Sequence, residues 1–83
     1  METVKVRNII VRIFDIADGI DERGEFETLL ANDEQGKTYS FSFRNGWTNY
    51  KRFNNGDVIL IKSARKFETS PSLSFLYYLR IKH

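Results

Sequence analysis

Alternation of apolar and polar positions organises most of this chain. Over residues 4–16, Val and Ile recur with Lys5, Arg7 and Arg12 between them, which is the period-two pattern of a half-buried strand. The pair Asp18-Gly19 supplies a turn to end it. The polar stretch 18–24 leads to a second strand at 25–31. Asn32-Asp33-Glu34-Gln35-Gly36 then has the side chains and the glycine that a short hairpin loop uses, and a third strand follows over 37–44. That strand is the clearest of the set: Tyr39, Phe41 and Phe43 share one face, and Thr38, Ser40 and Ser42 share the other. The period then changes. Between Asn45-Gly46 and Asn54-Asn55-Gly56-Asp57, the rings of Trp47, Tyr50 and Phe53 recur at every third position, the mark of one or two helical turns packed by one edge. A fourth strand over 58–64, a loop over 65–72 holding Pro71, and a fifth strand over 73–82 complete the chain.

The predicted order is thus three strands, a short helix between strands 3 and 4, and two more strands. This all-β order is that of the OB-fold, a five-stranded Greek-key barrel that is partly open. An SH3-like barrel is the rival, and the helical segment favours the OB-fold. Composition adds limits. Eighty-three residues without a cysteine predict one domain over 1–83, built on one continuous core. Hydrophobic residues at 41% and aromatics at 14% are too many for a disordered chain. The longest apolar runs, Ile9-Ile10-Val11 and Val58-Ile59-Leu60-Ile61, fall far short of the roughly 20 residues a spanning helix needs, so no membrane partner is expected. The absence of cysteine and of a leader pattern at the start predicts an intracellular protein, cytoplasmic or nuclear.

Two short motifs carry a family resemblance. The run Leu30-Ala31-Asn32-Asp33-Glu34-Gln35-Gly36-Lys37 before an alternating strand resembles the Asp-Glu-Ser/Thr-Gly hairpin of replication protein A and related archaeal single-stranded-DNA-binding proteins, with Gln35 in place of Ser or Thr. Asn55-Gly56-Asp57-Val58-Ile59 is similar to the Gly-Asp-Val step into their fourth strand. The resemblance spans about residues 6–81. It implies an OB-fold that binds single-stranded DNA, more readily than RNA, in replication, recombination or repair. It also implies that aromatics at the end of strand 3 and in the loop between strands 4 and 5 stack on bases. Phe43 matches the first position and Phe67 the second. Such domains often work in series, so a lone copy implies a homo-oligomer or a protein partner.

Charge is segregated independently of that resemblance. From residue 14 to 34 there are eight carboxylates against Arg23, a net of −7, whereas from 44 to 66 there are six cations against Asp57, a net of +5. Cations that track a backbone, interleaved with flat rings, are what single-strand binding without strict sequence preference requires. The candidate nucleic-acid-binding residues are therefore Phe43, Arg44, Tyr50, Lys51, Arg52, Lys62, Arg65, Lys66 and Phe67. Each has a structural alternative. Tyr39, Phe41 and Phe43 can be core, Trp47 and Phe53 can be the buried side of the helix, and the cations can be solvated surface. In strand 5 either Phe75 and Tyr77 or Leu76, Tyr78 and Arg80 face the core.

Catalysis finds no support in these residues. The sole histidine, His83, is the last residue, there is no cysteine nucleophile, and neither metal-ligand spacing nor a Gly-rich phosphate loop occurs. No enzyme, cofactor or metal is expected. The competing expectation is a protein-interaction module, or a subunit of a larger nucleoprotein complex, that uses the same rings and the acidic segment against a partner chain.

Overall fold

A computed structural model describes residues 2–44 and 53–82. Five strands account for most of them: β1 (Thr3–Asp21), β2 (Gly24–Asp33), β3 (Thr38–Arg44), β4 (Val58–Phe67) and β5 (Ser74–Lys82). They form one antiparallel sheet in the order β3-β2-β1-β4-β5. No helix occurs among the described residues. The expected helical turns at 47–53 fall almost wholly outside them. Phe53, the one described residue of that stretch, is buried in non-helical chain.

The first strand is longer than alternation suggested. Asp18-Gly19 does not turn; the two residues continue the ladder opposite Glu27 and Phe26, and the hairpin reverses at Glu22-Arg23. Gly24, at φ 112°, supplies the left-handed backbone that the reversal needs. Gly19 has a different use. A Cβ placed there would come within 2.5 Å of the Phe26 ring, so the missing side chain gives that ring its seat. Gly19→Ala should therefore eject the ring and lower the urea midpoint while leaving the rest of the sheet in register. Retention of the midpoint and of the Phe26 ring shifts in NMR would contradict this packing.

Two irregularities bend β1. Asn8, at φ 53°, has no partner in the β4 ladder between Arg7↔Ser63 and Ile9↔Ile61, and Phe14 is the extra residue between Ile13↔Ala31 and Asp15↔Leu30. Asn tolerates that backbone better than a branched residue, and the bulge at Phe14 adds local twist. One half of β1 thereby pairs with β4 and the other with β2. One isolated parallel bridge ties β3 to the segment that precedes β5: Ser40 N–H donates to Pro71 O at 2.9 Å and Leu73 N–H to Ser40 O at 2.7 Å. The sheet remains open beyond it.

The core lies on the inner face. Val11, Ile13, Leu29, Ala31, Ile59 and Ile61 fill its centre, and the aromatic row Tyr39, Phe41 and Phe43 of β3 is buried with them. On β5 the core set is Leu76 and Tyr78, which pack on this cluster, while Tyr77 points out. The turn at 54–57 locks onto β1: Gly56 N–H donates to Ile13 O, Ile13 N–H donates to Asp57 O, and the buried Asp57 carboxylate accepts from Asn54 N–H at 2.9 Å. This is the Gly-Asp-Val step read from the sequence. Its aspartate holds the turn together.

Candidate nucleic-acid interface

The outward face of β1, β4 and β5 collects cations that lie far apart in sequence. Because Ile59, Ile61 and Ala64 of β4 point inward, Lys62, Arg65 and Phe67 point out. Register places Lys5 directly opposite Arg65, Thr3 opposite Phe67, and Ser63 between Arg7 on β1 and Tyr77 on β5. The Lys62 ammonium sits 5.7 Å from the centre of the Tyr77 ring, over its face. Two rings lie open beside these cations, Phe67 at 47% and Tyr77 at 60% exposure.

Like charges directly opposite on neighbouring strands repel. The Lys5–Arg65 pair is not neutralised: none of Lys5, Arg7, Lys62 and Arg65 has an ion pair with a described carboxylate. Four cations in two or three rungs, flanked by two exposed rings, make a surface suited to a flexible polyanion with flat groups. Among the described residues no cluster of three or more metal-ligating side chains is present, and no helix is long and apolar enough to cross a membrane.

The other candidates fall elsewhere. Phe43 is 7% exposed, with its ring centre 5.8 Å from Phe41, 5.4 Å from Phe53 and 5.6 Å from Tyr78. It has no free face to offer a base. Lys66 points inward at 8% exposure; its Nζ donates to the carbonyls of Glu68 at 3.1 Å and of Phe67 and Ser70 at 3.5 Å, tying the β4–β5 loop together. A lysine so used is not at a phosphate-facing surface. Tyr50, Lys51 and Arg52 lie outside the described residues.

Arg44 is engaged at the far end of the sheet. Its Nη1 and Nη2 donate to the two carboxylate oxygens of Asp21 at 2.8 and 2.6 Å, and the guanidinium sits 5.4 Å from the centre of the Phe26 ring. The paired bonds from Arg44, followed by the backbone N–H of Arg23, hold the Asp21 carboxyl at about 2. Because this folded value lies below the ordinary one of 3.8, the bridge stabilises the fold above about pH 4 and its contribution is lost as pH falls towards 2. The urea midpoint of the protein should drop across that window more than that of Asp21→Asn. Parallel acid profiles would contradict the bridge.

Beside β3 the chemistry differs. A cleft of about 600 Å³ between β3 and the start of β5 is lined by Thr28, Ser40, Ser42, Ser72 and Ser74, with Phe41, Phe43, Leu73 and Leu76. Hydroxyls bond in pairs across it, Thr28 to Ser42 at 3.0 Å and Ser40 to Ser72 at 3.2 Å. No described charged residue lines it. The cations face away from this cleft, on the other half of the sheet.

Lys5, Arg7 and Tyr77 were not among the candidates read from the sequence. Lys5 and Arg7 belong to the alternation of β1, 58 or more positions before Arg65, and only the β1–β4 register reveals that they share a face with it. No protein-family model, curated protein or solved structure matches this chain.

Proposed function

We propose that this chain is an OB-type domain that binds single-stranded nucleic acid, DNA in preference to RNA, on the outward face of β1, β4 and β5. The observation that carries the reading is the unneutralised Lys5–Arg65 pair with Arg7 and Lys62 beside it, next to the exposed rings of Phe67 and Tyr77. The cations supply a salt-dependent attraction for phosphates, and the rings supply stacking that any base satisfies. Support for an OB-type barrel comes from β1 pairing with both β2 and β4 and from the parallel rung between Ser40 and Ser72. In this reading the protein is a binder and not an enzyme, acting inside the cell in replication, recombination or repair.

The test is fluorescence anisotropy of a labelled oligothymidine of roughly 20 nucleotides, with duplex DNA and single-stranded RNA as controls. Tighter binding of the single DNA strand, weakening with salt, is the expected result; equal binding of duplex, or none at low salt, overturns it. A protein-interaction role is the second reading, favoured by an apolar rung on the same outward face: Ile10, Leu60 and Leu79 are cross-strand neighbours there.

A further inference from the structure

That apolar rung lies outside the proposed strand path and lacks a partner. Ile10 and Leu79 are 43% and 48% exposed, and Ile81 beside them on β5 is 53% exposed. Cations bracket the rung along the sheet, with Arg7 and Lys62 on one side and Arg12, opposite Val58, on the other. Asp33 and Glu34 share a hollow with Ile10, Arg12 and Val58 at the β2 margin, so the basic character is strongest on the β4–β5 side. A single apolar row with a basic border calls for an acidic surface with an apolar centre.

The same chain presents one. At the tip of the β1–β2 hairpin, Asp18, Asp21, Glu22 and Glu25 stand against Arg23 and the Arg44 that pairs with Asp21, a net negative end, and among them Ile20 is 77% exposed. The tip cannot reach the rung of its own molecule, because Ile20 and Ile10 are held ten residues apart along the same paired strand. It can reach that of another.

We propose that the acidic tip of the β1–β2 hairpin docks, through Ile20, on the Ile10–Leu60–Leu79 rung of a second copy of this chain. Tip and face are different surfaces, so the contact is heterologous and can be repeated from copy to copy or closed into a ring. The Lys5–Arg65 end of the face stays open to a nucleic-acid strand, although the docking needs none.

Two neutral variants test this without nucleic acid. Ile20→Thr and Leu79→Thr alter exposed positions and place a strand-favouring β-branched residue at each, so both should give the parent's circular dichroism spectrum and urea midpoint. In sedimentation velocity at low salt, the parent should exceed its monomer mass of 9.8 kDa as concentration rises, and each variant alone should sediment as a monomer. Mixed in equal amounts, the variants retain one intact tip and one intact face between them. The mixture should form a dimer and nothing larger. A parent that stays monomeric overturns the proposal, as does a mixture that stays monomeric; a single variant that still associates alone also overturns it, since like surfaces would then pair.

Discussion

Phe43→Ala should cost about 3–5 kcal/mol of folding stability, the range for removing a buried ring, and should act on nucleic-acid binding only through unfolding. The ring is the centre of an aromatic cluster. Phe41 meets it edge-on at 86°, Phe53 and Tyr78 lie within 5.6 Å of it, and those two are themselves 5.6 Å apart. Removal leaves a cavity bounded by three rings that cannot all collapse into it. For a domain whose whole stability is about 5–15 kcal/mol, this is a large fraction. Phe43→Leu, which keeps most of the apolar volume, should retain the fold and bind an oligonucleotide like the parent. Urea unfolding distinguishes the cases. A cost for Phe43→Ala within about 0.5 kcal/mol, as at a surface position, would return Phe43 to the list of stacking candidates.

The second large effect is expected at the exposed rings. Phe67→Ala and Tyr77→Ala should each weaken oligothymidine binding by roughly 1–3 kcal/mol, or about five-fold to more than a hundred-fold. Neither ring is buried in the core, so thermal stability should change little. Tyr77→Ala also removes the seat of the Lys62 ammonium, so its effect on affinity should depend more on salt than that of Phe67→Ala. Tyr77→Phe should restore binding, since stacking uses the ring and not its hydroxyl. Unchanged affinity in both alanine variants would take the rings out of the site.

Much of the fold was legible because alternation reports burial directly. The strand count and the hairpin at Asp33 to Gly36 follow from period-two runs and turn residues; Asp33 confirms the hairpin by accepting from the N–H groups of both Gln35 and Lys37 at 2.9 Å. The β1 boundary was not legible, since Asp18-Gly19 is turn chemistry used inside a strand, and only the Phe26 ring explains the glycine. Site residues were harder for the same reason. Sequence shows how charges cluster along the chain, whereas a sheet face is built from register. Lys66 looks like its neighbour Arg65 in a list of cations, yet one residue of strand moves its ammonium from the outer surface to the underside of a loop. Lys5 and Arg7 look remote, yet they lie across the ladder from β4.

The cation row is therefore the claim most directly open to measurement. Binding of oligothymidine should be followed from low to moderate salt for the parent and for the double variant Lys5→Ala/Arg65→Ala. Each phosphate contact on a single strand contributes about 0.7 to the slope of log affinity against log salt, so four cations predict a slope near −3 for the parent and about half that for the variant. A slope unchanged by the double substitution, at whatever affinity, would show that nucleic acid does not bind across Lys5 and Arg65.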